Sequence, residues 1–375
     1  PDQLQQWGKG EQVKFRCERD VLVDALATAQ RATSTRATLP VLSGLRLSLE
    51  GNQLRLTGSD LDLTITTEVT VSGGNDGVAV LPAKMVVDIV RSLEGGAVEL
   101  DTEGDEAHIS GGRSNFKLHT IPADEFPNLI DPDGEQVVLQ SADLAEGLKQ
   151  VVRAASTDES RPILTGVLLA AEGRGLRMVS TDSYRLAVRD LPGTTALREG
   201  QTVLVPSRAL NELARLLHDD TDVRLVLGER DASFSVGELH LTTRLIEGEF
   251  PNYRGLIPSA QPNRLQVDRQ GLLDAVRRVR LMARENSPVR LTMSDGLLEL
   301  RAVTLDVGEA SEQLDATYDG EELTVAFNPE YLVDGLEVTP GDEICLETVD
   351  SLKPALIRPI GSEDFLYLLM PVRVS

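Results

Sequence analysis

The chain repeats itself, and the period decides its architecture before any single element is read. Pro40-Val41-Leu42-Ser43-Gly44-Leu45 recurs 122 residues later as Pro162-Ile163-Leu164-Thr165-Gly166-Val167. Leu54-Arg55-Leu56-Thr57-Gly58-Ser59-Asp60 recurs at the same offset as Leu176-Arg177-Met178-Val179-Ser180-Thr181-Asp182. Glu125-Phe126-Pro127-Asn128 returns as Glu249-Phe250-Pro251-Asn252, 124 on. A fainter third copy shows in Leu298-Glu299-Leu300-Arg301, 122 after Leu176, and in Pro329, 123 after Pro206. Self-similarity on this scale defines a fold. It gives three domains, at 13–132, 135–258 and 263–375, behind a polar tail over 1–12 that carries Trp7. Turn-rich linkers fall at 130–135 and 257–263.

Inside each copy a short strand leads into an amphipathic helix, alternating strands follow, and the order repeats. In the second copy Leu144, Leu148, Val151 and Val152 share one face of a helix at 142–155, and Leu210, Leu213, Leu216 and Leu217 mark another at 207–218. Strands are expected near 163–171, 175–180, 222–228, 232–236 and 239–245. The other copies predict helices near 20–32, 83–93, 269–284 and 328–338. Six helices and about two dozen hairpin-linked strands make an α+β chain, with two helices per copy on antiparallel sheets.

Net charge is −23. Alone, that argues against nucleic acid, because sequence-independent affinity comes from Lys and Arg neutralising phosphates. The distribution changes the reading. The six helix windows hold 12 of the 37 Lys and Arg but only 10 of the 60 Asp and Glu. Lys84 and Arg91, Lys149 and Arg153, Arg208 and Arg215, and Arg277, Arg280 and Arg284 each share a helix face. Such rows are ordinarily solvated faces; they would also suit the lining of a hole around a polyanion. The sixth window, with Glu330, Asp334 and Glu337, runs against the second reading. Geometry favours it. At about 9 Å between axes, six helices make a circle roughly 17 Å across. Removing a helix diameter of about 10 Å leaves roughly 7 Å, too narrow for a duplex. Twelve helices from two chains leave roughly 24 Å, which admits one.

Signals of catalysis are missing. The histidines show no ligand spacing with each other or with the cysteines, so no metal and no cofactor is expected. No phosphate-binding glycine loop or nucleophile elbow occurs. Asp60 and Asp62 could suggest paired carboxylates, but Asp60 recurs with the fold unit as Asp182, which is the habit of a turn device. Two isolated thiols, Cys17 and Cys345, point to a reducing, cytoplasmic home. No run is apolar over the length a membrane span needs, and the opening residues lack the apolar core of a signal peptide. A triplicated small-molecule enzyme and a peptide-binding scaffold that ignores DNA remain as rival readings.

Four stretches carry a family resemblance: Arg36-Ala37-Thr38-Leu39-Pro40-Val41-Leu42, Ser180 to Ala187, Phe250-Pro251-Asn252-Tyr253-Arg254, and Tyr367 to Val374. With them, residues 13–374 resemble the bacterial DNA sliding clamps, the beta subunits of DNA polymerase III. The resemblance implies the DNA clamp fold, a ring-shaped head-to-tail homodimer, and duplex DNA held without sequence preference. It also implies no catalysis, a clamp loader, and partners that dock by peptides, the replicative polymerase among them. The family's peptide pocket falls on Leu164, Thr181, Tyr184, Arg185, Leu186, Pro251, Leu256, Leu352, Pro354, Leu368, Met370, Pro371 and Arg373. Ser183-Tyr184 stands where the family often has Gly-His, and Pro354 where a small polar residue is common. Arg36 matches a family residue that touches duplex, and Asp158 replaces a neutral one near the same rim. The dimer edge is expected to join strands near 106–118 to third-copy strands and the helix bearing Leu281.

Overall fold

The computed structural model describes residues 12–34, 39–172, 175–217, 221–283 and 287–373. Arg36, Arg284 and Trp7 lie outside the described residues. Six α-helices occur among them: α1 (Arg19–Gln30), α2 (Ala83–Ser92), α3 (Ser141–Val152), α4 (Ser207–Leu216), α5 (Arg269–Val279) and α6 (Pro329–Val338). Every strand pairing in the four sheets they accompany is antiparallel. Two expectations need correction. The strand expected from 163 begins at Gly166, because Pro162–Thr165 is a 3₁₀ turn closed by Thr165 Oγ1 on the Pro162 carbonyl, 2.7 Å. Proline has no N–H for a ladder but suits the first position of a helical turn. The helix expected to reach 284 stops at Val279 and tightens into a 3₁₀ turn, Arg280–Met282.

Two compact units result, and they cut across the second repeat. The first unit holds a five-stranded sheet ordered Ser72–Asn75, Lys14–Glu18, Ala97–Glu103, Glu106–Gly111, Ser114–His119. Its eight-stranded sheet joins first-repeat strands to second-repeat strands where Leu63–Thr70 pairs with Leu239–Arg244, Ile65 opposite Leu241. Leu22, Leu26 and Ala29 of α1 and Val86, Val87 and Val90 of α2 close over Leu45, Leu47, Leu54, Leu56, Leu100 and Ile109. These strand positions alternate, as a half-buried sheet requires. The linker is fastened to this sheet: His240 Nε2 lies 2.7 Å from Asp131 Oδ1, and Ser235 Oγ 2.8 Å from His240 Nδ1.

The second unit repeats the device. Its nine-stranded sheet joins second- and third-repeat strands where Arg185–Pro192 pairs with Phe365–Leu369, Leu186 opposite Leu368. Its four-stranded sheet runs Gly308–Asp315, Leu297–Thr304, Val289–Ser294, Leu323–Phe327. Asn328 caps α6 by accepting from the Glu330 and Tyr331 amides, with Pro329 next. Gly335 lets α6 lie close on the sheet, since a Cβ there would stand 2.5 Å from the wholly buried ring of Tyr367. Gly335→Ala should therefore cost about 1–3 kcal/mol, the range for overpacking. A lowered urea midpoint with an unchanged slope is the expected reading; an unmoved midpoint would mean that helix and sheet can part freely.

The repeats also show in their close approaches. Gly58 leaves no room for a side chain beneath the Ala29 carbonyl. In the second repeat Ser180, 122 residues on, donates its hydroxyl to the Val151 carbonyl, the equivalent of Ala29.

Candidate peptide-binding groove and helix-face cations

A strained turn starts the site. Asp182 Oδ1 accepts from the amides of Tyr184 (2.9 Å) and Arg185 (3.0 Å), and Ser183 between them has φ +83°. Non-glycine residues seldom adopt that conformation. The first repeat builds the same turn: Asp60 Oδ1 accepts from Leu63 N at 2.8 Å, and Leu61 has φ +79°. The recurring aspartates are thus turn devices. In the second repeat the turn throws Tyr184 outward, 59% exposed, and turns Arg185 in.

The other stretches arrive by pairing and packing. Met370 N donates to the Tyr184 carbonyl at 2.9 Å, one residue beyond the ladder that pairs Leu368 with Leu186. Val372 N then donates to the Ala326 carbonyl, 2.8 Å. Leu186 and Leu368 lie in a cluster with Val179, Val188, Tyr253, Leu356 and Leu366, against which Phe250 and Ile257 pack. That cluster ties the stretch of Pro251 and Leu256 to the sheet. Asp350 Oδ1 accepts from the amides of Leu352 (2.8 Å) and Lys353 (2.9 Å), a turn that presents Leu352.

The thirteen expected residues therefore divide by role. Tyr184, Leu256, Leu352 and Met370 are exposed apolar side chains that a partner can reach, and Pro251 and Arg373 are exposed beside them. Pro354 and Pro371 are half-buried. Leu164, Thr181, Leu186 and Leu368 are buried and serve as backing; Thr181 Oγ1 donates to the Arg185 carbonyl, 2.6 Å.

Arg185 is not a free cation awaiting a ligand. Its guanidinium pairs with Asp182 (3.0 Å) and Asp334 (2.5 Å), reaches the Tyr367 hydroxyl at 3.4 Å and lies 4.3 Å from the centre of the Tyr331 ring. Burial opposes its charge, but the Tyr367 hydroxyl and the two carboxylates prevail and hold its pKa above the ordinary arginine value. Burial likewise pushes the Tyr367 hydroxyl up. Tyr331 stacks on Tyr184 with centroids 6.5 Å apart. The sequence reading gave Tyr331 no role and counted Asp334 only against a cationic lining. Their three-residue spacing on one helix face was the available signal.

The helix-face cations divide as well. The acids of α6, which ran against a cationic lining, pair with several of the expected cations. Arg153 pairs with Glu337 and with Asp334 (3.5 Å), Arg277 with Glu337 (2.7 Å) and Arg280 with Glu330 (3.1 Å). Burial opposes ionisation of Glu337, yet Arg153 and Arg277 outweigh it and hold its carboxyl below the ordinary range. Lys84, Lys149, Arg91, Arg208 and Arg215 are exposed, and Arg91 stands 3.8 Å from Asp88. A cavity of about 420 Å³ opens among α3, α4 and the ends of α5 and α6, lined by Lys149, Arg153, Asn211, Arg269 and Glu337. None of the thirteen expected peptide-site residues lines it. Among the described residues no group of three or more His, Cys, Asp or Glu could hold a metal ion, and no helix is long and apolar enough to cross a membrane.

Comparison with known proteins covers nearly the whole chain. Residues 13–130 match the N-terminal domain of the DNA polymerase III beta subunit family, 138–252 its central domain and 254–373 its C-terminal domain. The beta sliding clamp of Streptomyces coelicolor is 35% identical over 380 residues, covering 97% of this chain and 100% of that one. The beta sliding clamp of Staphylococcus aureus is 32% identical, covering 96% and 99%. The DNA polymerase sliding clamp of Bacillus subtilis superposes with a TM-score of 0.89 at 30% identity, over 97% of this chain and 100% of that one. A Pseudomonas aeruginosa sliding clamp solved bound to griselimycin gives 0.89 at 32%, over 96% and 100%. The chain belongs to the DNA polymerase III beta subunit family, the beta sliding clamps.

Proposed function

We propose that this chain is a non-catalytic, cytoplasmic processivity factor. Two copies close head to tail around duplex DNA, a clamp loader opens the ring, and the replicative polymerase and other replication proteins dock by short apolar peptides on the groove. One observation carries the ring. The last strand of the second repeat, Leu239–Arg244, joins the first repeat's Leu63–Thr70, and the last strand of the third, Phe365–Leu369, joins the second repeat's Arg185–Pro192. The third such pair would be Gly308–Asp315 with Ser114–His119, and each of these is a sheet edge. A second copy supplies the missing partner to both, and covers edges that would otherwise invite aggregation. The edges differ in charge, with Arg113 and Lys117 near one and Glu309, Glu312 and Asp315 on the other, and Lys117, Glu309 and Glu312 each also have an ion-pair partner within the chain.

The helix cations make phosphate contacts without reading bases, so DNA affinity is weak and falls with salt. Alanine at Arg36, Lys149, Arg153, Arg277 and Arg280 is expected to lower processivity alike on all sequences, whereas a footprint confined to one motif would rule the reading out. The ion pairs between these arginines and α6 favour a second reading, a peptide-binding scaffold indifferent to DNA. Retention on nicked circles with release from linear DNA separates the two. The groove is tested by calorimetry with a clamp-binding peptide. Met370→Ala and Tyr184→Ala should each weaken binding by about 1–3 kcal/mol, as anchor residues do, with the oligomeric state unchanged. Equal affinity in both variants and the parent would remove the assignment.

A further inference from the structure

Asp334 touches both functional surfaces of the second unit. It sits on α6, with a side chain about one-third exposed. Its Oδ2 stands 2.5 Å from Arg185, the arginine beneath the proposed groove, and its Oδ1 3.5 Å from Arg153, exposed in the turn that follows α3. On the groove side the chain of contacts continues from Arg185 to the ring of Tyr331 and from Tyr331 to Tyr184. On the helix side it continues from Arg153 to Glu337 and from Glu337 to Arg277, 2.7 Å. The two arginines differ in their freedom. The side chain of Arg185 is 11% exposed and also held by Asp182, while that of Arg153 is 48% exposed and open to a competing anion.

We infer that Asp334 is a positioning residue of the peptide groove whose hold on Arg185 is set by whether Arg153 is engaged by phosphate, so that DNA contact and peptide docking are coupled. The inference rests on the proposed groove and on the proposed DNA-facing role of Arg153. The direction follows from charge. With no DNA, Asp334 divides its single negative charge between two guanidiniums. A backbone phosphate at Arg153 offers that arginine a stronger, bidentate partner and leaves Asp334 to Arg185 alone. Arg185 is then fixed more firmly against Tyr331, and Tyr331 against Tyr184, so less ordering remains for an incoming peptide to complete. Peptide affinity rises on DNA-bound protein. By linkage, a bound peptide raises DNA affinity by the same factor. The consequence is a clamp that holds its clients better on DNA than in free solution.

The test is anisotropy with a fluorescein-labelled apolar heptapeptide selected against the parent protein by display, with and without saturating short duplex at low salt. Binding of the duplex is followed separately. For the parent, the peptide dissociation constant should fall about fivefold on adding duplex, at the lower end of measured allosteric couplings. Arg153→Gln, which also leaves Asp334 to Arg185 alone, should bind peptide without duplex about as tightly as the parent does with it, and lose the duplex effect. Asp334→Asn should bind peptide more weakly and also lose it, and Asp334→Glu should restore part of both. A residue that only supported the fold would shift peptide affinity equally with and without duplex. If the parent binds both ligands and its peptide affinity does not change with duplex, the coupling is wrong while the groove and DNA readings stand. A coupling that survives intact in Arg153→Gln overturns the route through Asp334. If the parent fails to bind the peptide, or the duplex, the corresponding reading falls and the inference falls with it.

Discussion

Arg185→Met should be among the most damaging single substitutions in the second unit, lowering stability by about 3 kcal/mol, the low end for breaking a buried ion pair by removing one partner. The methionine fills much of the space but leaves Asp182, whose side chain is only 10% exposed, without its cation. Asp334 keeps Arg153 as a partner and is more exposed, which limits the loss. Tyr331 loses the guanidinium over its ring, so the wall formed with Tyr184 loosens and peptide binding declines with stability. Urea unfolding of the parent and Arg185→Met checks the first effect. Equal midpoints would mean that the arginine is held at no net gain, and that its place in the site lies in direct ligand contact after all.

Leu281→Asp is expected to act on assembly instead. Leu281 is 77% exposed on the 3₁₀ turn after α5, in a chain whose other large apolar side chains are mostly buried. Thr304 Oγ1 donates to the Met282 carbonyl at 2.6 Å and fixes that turn beside the strand next to the Gly308–Asp315 edge. An aspartate there would set a carboxylate against the partner's surface and add to the acid already on that edge. Loss of an interface anchor costs roughly 2–4 kcal/mol, about 30- to 1,000-fold per joint, and a ring closed by two copies loses an anchor at each of its two joints. Light scattering across a dilution series should show monomer where the parent is dimeric, with helix content unchanged and retention on nicked circles lost. A variant that stays dimeric over the same range would place the interface elsewhere.

Much of this was legible in the sequence because it depended on local pattern or on the repeat. Helix positions followed from the spacing of Leu144, Leu148 and Val151 and their counterparts. Asp60 and Asp182 read as turn residues because a device of the fold recurs with the fold. The stretches of the proposed groove came from the family resemblance, and pairing of Arg185–Pro192 with Phe365–Leu369 brings two of them together. Less legible was the business of each charge. Arg185 read as a pocket cation because its partners stand far away in sequence: Asp334 is 149 residues on and Tyr367 182. Glu330, Asp334 and Glu337 read as an objection to a cationic lining because a helical wheel shows one helix, whereas ion pairs are made across two. The 3₁₀ turn at Pro162–Thr165 was absorbed into a strand, since apolar residues continue straight through it.

The strand pairing at the repeat junctions has a consequence for ancestry. Each repeat offers one strand that seeks a successor and one that seeks a predecessor, and within the chain two of these demands are met covalently close at hand: Ile65 opposite Leu241, and Leu186 opposite Leu368. A polypeptide holding a single repeat would carry both demands unmet and could meet them only with further copies of itself, head to tail, until the circle closed. Fusing repeats removes joints from that circle one at a time. It also frees each segment from having to be identical to the others, so that the turn at Ser183 presents Tyr184 where its counterpart at Leu61 presents Asp62. The assembly keeps one kind of joint unfused, and that is the joint at which a ring built this way can be opened without breaking a chain.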